Sequence, residues 1–335
     1  MQPPASTNAT NDMDIIRQAL QWANDGYGVA LATVIETWGS APRPTGSQVV
    51  INSESAFAGS VSGGCIEGEV VTEAHGVIRD QKAKILEFQV SDETASSAGL
   101  ACGGKVRVLV SAVSGNIRET LQHLLDLNET KRPAALLYDL ETGIPALLEK
   151  NASPAIGDRI ASNRSGMIET ADGALLFARV YNPPLRLLIV GAVHIAQSLC
   201  VLGKQADYDV TVIDPRDTWG TVQRFPEVTI DKRWPSTALE DLTPDRTTAV
   251  VTLSHDAKLD DPAFLVALKS DAFYIGALGS RKTHAKRVDR LLDAGLTEEE
   301  ISRIHAPVGL DIAANTPFEI ALSIMGQIVE AHRRR

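Results

Sequence analysis

Hydrophobic positions along the chain follow two patterns that meet at Asn182-Pro183-Pro184, where paired prolines interrupt regular structure. The first dozen residues are polar and predict no element. Ile15, Ile16, Ala19, Leu20 and Ala23 then recur at helical spacing between Asp14 and Asn24. GVALATVIET from Gly28, SQVVIN, AFAGSV, KILEFQV and KVRVLVSAV read as strands. Between them, Ile66, Val70, Val71 and Ala74 line one face of a helix expected to end near Gly76. A helix over Asn116 to Leu127 follows, and PAALLYDL, PALLE and GALLFARV read as a strand-rich tail.

Beyond the prolines, strands and helices alternate. RLLIV runs into a helix from about His194 to Ala206, and YDVTVID is the next strand. A short strand near VTI, the strand TAVVTL, a helix from Pro262 to Lys269, the strand AFYIGAL and a helix from Thr283 to Asp293 come after. Thr297 with Glu300, and Thr316-Pro317 with Glu319, are capping-box signatures opening two more helices. The last of these carries Ile320, Ile324 and Ile328 as a core-facing stripe. This alternation predicts an α/β fold with a C-terminal, Rossmann-like, doubly wound parallel sheet over residues 184–335. The mixed α/β pattern ahead of it predicts a separate domain over 1–183.

Composition narrows the function. Thirty-two Lys and Arg against 42 Asp and Glu leave a net charge of −10, so no bulk attraction to nucleic-acid phosphate or to an anionic membrane is expected. The basic end His332-Arg333-Arg334-Arg335 reads as a solvated terminus. The three cysteines form no CxxC pair and cannot complete a disulfide set, which suits a reducing compartment. The N-terminus lacks the charged start and apolar core of a signal peptide, and no apolar run reaches the length of a membrane span. The expectation is a cytoplasmic protein.

Candidate chemistry concentrates on two thiols. Cys65 follows Gly63 and Gly64 just ahead of a helix, and Cys102 precedes Gly103 in a turn between strands. Small neighbours leave room beside a thiol, and a helix start favours its thiolate. Cys200, inside the apolar run IAQSLCVL, reads as core packing. Arg43 lies between two prolines, which either fixes a guanidinium toward a ligand or places it on the surface. Glu67 is either a cap for the helix after Cys65 or an acid. In the second half, Gly191 and His194 open a strand-to-helix turn of the kind that offers N–H groups to phosphate, and Asp214 stands 23 residues on, where such folds place a ribose-binding acid. Val193 and Ala196 replace the second and third glycines of the dinucleotide fingerprint, which counts against ordinary NAD(P) binding. Arg216 adds a cation beside Asp214. Ser254 and His255 follow another strand, as ligand contacts or as satisfied loop groups. Gly279, Ser280 and Arg281 form a glycine-led helix start suited to phosphate.

GSAPRPTGSQVV, GSVSGGCIEGEV and ACGGKV resemble the N-terminal motifs of the XdhC/CoxI family. VGAVHIAQSL, VIDPR, LSHDAKLDDP, YIGALGSRKTHAKR and IHAPVGLDIAANTPFEIALSI resemble its Rossmann-like C-terminal domain. The resemblance spans most of the chain from Gly28 to Glu330 and is weakest between Asn116 and Pro184. It implies an accessory protein, more chaperone than catalyst, that binds the molybdenum cofactor as molybdopterin or its dinucleotide form. Such a protein supports sulfuration of the cofactor by a cysteine desulfurase and delivers it to a xanthine dehydrogenase-type molybdenum hydroxylase. Cys65 and Cys102 would be soft ligands to the metal end, and a homodimer is implied. An NAD(P)-dependent oxidoreductase is the competing reading. A third makes Cys65 a persulfide carrier, which needs the same accessible thiol.

Overall fold

Val29–Gly39 (β1) is the spine of the first half: its near-continuous run of apolar residues is buried on both faces. It pairs antiparallel with β2 (Gln48–Asn52) on one side and with β5 (Gly104–Ala112) on the other. β3 (Phe57–Gly59) and β4 (Lys84–Gln89) complete the antiparallel order β3-β2-β1-β5-β4. The computed structural model describes residues 11–39, 41, 43–64, 66–89, 104–170 and 173–334. The chain divides into two units, Met1–Pro183 and Pro184–Arg335.

In unit 1, α2 (Glu67–Asp80) covers one face of the sheet through Val70, Ala74 and Val77. The helix does not stop near Gly76: Val77 extends its buried stripe, and the chain turns out only at Gln81, which takes a left-handed φ of 55°. On the other face, α1 (Asp12–Asn24) and α3 (Asn116–Glu129) share a core with a second antiparallel sheet. That sheet has the order β7 (Pro145–Glu149), β6 (Ala134–Asp139), β9 (Leu175–Tyr181), β8 (Gly166–Glu169). A helix that the strand-rich reading of this stretch passed over, α4 (Pro154–Ser162), opens with Ser153 accepting from the Ile156 N–H and with proline at its start. Gln48 ties the two sheets together, donating to Thr33 Oγ1 at 2.9 Å and accepting from Tyr181 Oη at 2.7 Å.

Unit 2 is the expected parallel sheet. Its strands are β10 (Arg186–Val190), β11 (Asp209–Ile213), β12 (Thr229–Asp231), β13 (Thr248–Thr252), β14 (Tyr274–Ala277) and β15 (Ile304–His305), in the order β12-β11-β10-β13-β14-β15. Every pairing is parallel, so all the carboxyl ends lie along one edge, and the order reverses between β10 and β13. α5 (His194–Gln205) and α10 (Pro317–Arg333) cover one face, with Cys200 in the core between helix and sheet. α6 (Pro235–Leu242), α7 (Ala257–Ala267), α8 (Arg281–Asp293) and α9 (Glu298–Ser302) serve the other. Both capping boxes form as the sequence predicts. α7 begins five residues before the expected Pro262, because Asp256 caps it through the Lys258 N–H and the proline is accommodated inside the helix. α8 likewise starts at Arg281, with Ser280 as its cap. Among the described residues, no helix is long and apolar enough to cross a membrane.

Candidate functional site

The candidate residues of unit 2 all fall on the carboxyl edge of the parallel sheet. Gly191 follows β10 with a φ of +104°, and a Cβ there would lie 2.8 Å from the Ser254 backbone nitrogen. Glycine is therefore required by the approach of the loop after β13, across the point where the strand order reverses. Ser254 is buried, and its hydroxyl donates to Asp260 Oδ1 at 2.5 Å. Asp260 was not among the sequence candidates. It sits in α7, which the sequence reading began two residues later, so its approach to Ser254 had no local signal. Burial pushes its carboxyl up, and the Ser254 hydrogen bond only partly offsets that.

His255 takes a φ of 60°, a strained value for a residue with a side chain, and is exposed at the same edge. His194, the first residue of α5, is exposed as well, and Val193 gives that helix no side-chain cap. Ser280 accepts from the Thr283 N–H and is spent on capping α8, while Arg281 beside it is exposed. Behind Gly279, the buried Arg287 reaches the Leu278 carbonyl at 2.9 Å; burial holds its pKa below the usual guanidinium range, and its Nε has no hydrogen-bond partner among the described residues.

Asp214 lies just past the tip of β11 and is fully buried. Its carboxylate accepts from the Ala192 N–H at 2.7 Å, from the Arg216 N–H at 2.9 Å, and from Arg216 Nε and Nη2 at 2.9 and 2.6 Å. Burial raises its pKa, but these donors outweigh that and hold it below the usual carboxylate value. Both oxygens are engaged within the protein.

In unit 1, Gly39 and Gly104 are paired across β1 and β5, and Gln89 pairs with Lys105. Gly59 pairs with Val49 next to the start of β2, where Gln48 lies opposite Thr33, midway along β1. The described strand ends Gly39, Gln89 and Gly104 therefore lie together at one end of the antiparallel sheet, while the chain after Gly59 leaves beside the middle of β1. Cys65, Cys102 and Gly103 lie outside the described residues. Arg43 is exposed and makes no hydrogen bond or ion pair among the described residues. Glu67 does not cap its helix from outside, as a cap was expected to do. It is the first helical residue, and its buried carboxylate folds back on the preceding loop. Oε1 accepts from Ser60 Oγ, the Val61 N–H and the Ser62 N–H at 2.8, 3.2 and 2.9 Å. Oε2 accepts from Ser62 Oγ and from the Gly64 N–H, the latter at 2.9 Å, while the Gly63 N–H donates to Ser60 Oγ. Burial would raise this pKa, but the serine hydroxyls and amides bring it down to about 2. The loop leading to Cys65 is thus wound around a charged carboxylate. Ser60 and Ser62 were invisible as partners because their roles depend on the loop closing.

Comparison with known proteins bears on both units. The family model for the XdhC Rossmann domain matches residues 187–328, and the model for the XdhC and CoxI family matches residues 22–89. An Escherichia coli (strain K12) protein named "Molybdenum cofactor insertion chaperone PaoD" is 27% identical over 314 residues, covering 94% of this chain and 86% of that protein. A Bacillus subtilis (strain 168) protein named as a "Probable xanthine dehydrogenase" subunit is 24% identical, covering 92% of this chain and 95% of that one. A crystal structure from Bacillus halodurans, described as a xanthine dehydrogenase, has the same fold: the TM-score is 0.78 at 24% identity over 96% of each chain.

Proposed function

The chain belongs to the XdhC/CoxI family, and on that premise we propose that it binds the molybdenum cofactor, supports its sulfuration and hands it to a xanthine dehydrogenase-type molybdenum hydroxylase. The observation that carries this reading is the near full-length similarity to a protein named as a molybdenum cofactor insertion chaperone. The cargo is molybdopterin or its dinucleotide form. Its phosphate suits the uncapped start of α5 and the exposed Arg281 at the start of α8. Its metal end suits thiolates, which are soft ligands. Support for Cys102 comes from Gly104 just after it, which pairs with Gly39 at the strand end leading to Arg43, and support for Cys65 comes from the Glu67-held loop that precedes it. A cysteine desulfurase is the sulfur source, the setting is the cytoplasm, and the working form is a homodimer.

The rival reading, an NAD(P)-dependent oxidoreductase, needs a free acid at the tip of β11 to take ribose hydroxyls. Asp214 has both oxygens engaged by Ala192 and Arg216, which disfavours that reading.

The test is the molybdopterin and molybdenum content of protein purified from a host that makes the cofactor, against a host that does not. Cofactor should copurify only from the first. Cys65→Ala should sharply reduce retention and activation of a co-expressed hydroxylase, and Cys102→Ala should do so to a similar or lesser degree. Cys200→Ala should keep both, because burial pushes that thiol up to about 12 and leaves it inert. Absence of cofactor from the wild-type protein in both hosts would sink the proposal.

A further inference from the structure

The segment leaving β11 carries an aromatic group that the cargo reading does not use. Trp219 is 40% exposed, and the Arg216 guanidinium carbon lies 4.4 Å from the centre of its ring. Arg216 is not free to wander. Its Nε and Nη2 form a two-pronged pair with the buried Asp214 carboxylate at 2.9 and 2.6 Å. Arg224 adds a second cation 5.5 Å from the indole centre and donates through Nη1 to the Trp219 carbonyl at 2.6 Å. Among the described residues, Arg216 Nη1 has no hydrogen-bond partner. The result is a planar cation laid on an indole and clamped along one edge, with part of the pair open to water.

We propose that this Arg216–Trp219 pair is a stacking platform for the base of a nucleoside phosphate. Every nucleobase has a π face, and aromatic rings and guanidinium planes bind such faces with little regard to sequence. A pinned guanidinium loses little freedom when a base lies on it. The platform stands at the carboxyl tip of the strand next to β10, at the sheet edge where open α/β sheets take ligands. Arg216 is charge-paired with Asp214, so Arg224 supplies the net positive charge toward an anionic ligand, and the spare Arg216 Nη1 is a donor for a phosphate or ribose oxygen. Asp214 therefore acts on the ligand through Arg216, as a positioning residue. The inference rests on the proposed function only for what the nucleotide is joined to: the pterin of a dinucleotide cofactor or the nicotinamide half of NAD(P).

Calorimetric titration of the full chain with CDP, GDP, ADP, NADP⁺ and inorganic pyrophosphate tests the platform. A nucleoside diphosphate should bind about tenfold or more tighter than pyrophosphate, which has no base to stack. Trp219→Ala should abolish that advantage at an unchanged melting temperature, and Trp219→Phe should keep it within about threefold. Arg216→Lys, which keeps charge without the plane, should lose most of it, so the test stands even if the alanine variant folds poorly. Trp234→Ala removes an exposed indole outside the pair and should bind as wild type does. Preference for CDP or GDP supports a dinucleotide cofactor, and preference for ADP or NADP⁺ supports NAD(P); either supports the platform. Nucleotides binding no tighter than pyrophosphate, or a folded Trp219→Ala that binds like wild type, would overturn it and leave Trp219 to a protein partner. If nucleotides fail while molybdopterin still copurifies, the platform is wrong and the cargo reading stands. Nucleotide binding without molybdopterin retention keeps the platform and removes the cargo reading.

Discussion

Glu67 in unit 1 and Asp214 in unit 2 are both buried carboxylates at the mouth of a helix, each bonded to backbone N–H groups that a ligand's anion would otherwise take. Their remaining partners differ in kind. Glu67 is held by serine hydroxyls and amides, with no ion-pair partner among the described residues. Asp214 is held by two amides and an arginine fork. Neutral donors arranged around a charge fix the shape of a loop, because each donor is committed to one acceptor. An arginine bonded along one edge keeps its faces for stacking, and Trp219 takes one of them. Unit 1 thus uses its acid to shape the loop before Cys65, and unit 2 uses its acid to aim a cation.

The most damaging way to break the comparison is on the Asp214 side. Gly191→Ala would force a Cβ to within 2.8–2.9 Å of the Ser254 backbone at a φ of +104°. Strain and overpacking together should cost about 4 kcal/mol. Urea unfolding of the full chain, followed by a probe in unit 2, checks this; a loss below about 1 kcal/mol would mean that the turn relaxes freely.

Next in size is Glu67. Its folded pKa of about 2, against an ordinary 4.5, is worth about 3 kcal/mol. A depressed folded pKa means that this stability is fully present above pH 4.5 and is lost as the pH falls toward 2. The difference in unfolding free energy between wild type and Glu67→Gln should therefore be largest near pH 6 and shrink on acidification. A difference that stays constant with pH would show that shape, not charge, holds the loop.

These two sites were unequally legible in the sequence. Gly191 and Asp214 were placed correctly because strand, glycine, helix and acid follow one another within a single βαβ unit. The capping boxes at Thr297 and Thr316 were legible for the same reason: each is complete within four residues. The Glu67 nest was not, since its donors matter only once residues 60–64 curl back. The Ser254–Asp260 contact was hidden by Pro262, which reads as a helix start but is tolerated inside α7. Nor does apolar period say which strands pair. β1 lies between β2 and β5, though β5 follows it in sequence by some 65 residues, and that pairing is what sets Gly39 beside Gly104.

Asp214→Asn sharpens the contrast at lower cost. It keeps an acceptor for the Ala192 N–H but removes the charge that fixes Arg216, and about 2 kcal/mol should be lost. Because burial and the Arg216 and Ala192 donors leave the folded pKa lowered, the wild-type advantage should be present above its ordinary 3.8 and decline as the pH falls through the folded value. Trp219 fluorescence should also change, since the guanidinium over the ring is released. An unchanged spectrum would mean that Trp219 holds Arg216 in place without the acid.

The smallest structural effect should come from Arg43→Ala. Arg43 is exposed and has no partner among the described residues, so nothing packed or paired is lost, and unfolding should shift by less than about 0.5 kcal/mol. It nevertheless follows Gly39, which pairs with Gly104 at the strand end next in sequence to Cys102. If that end receives an anionic cargo, molybdopterin retention should fall several-fold in Arg43→Ala and be largely restored in Arg43→Lys. That split between an unmoved stability and a reduced retention is the signature of a residue kept for a ligand. Equal retention in all three proteins would return Arg43 to the ordinary surface and leave Glu67 shaping a loop for its thiol alone.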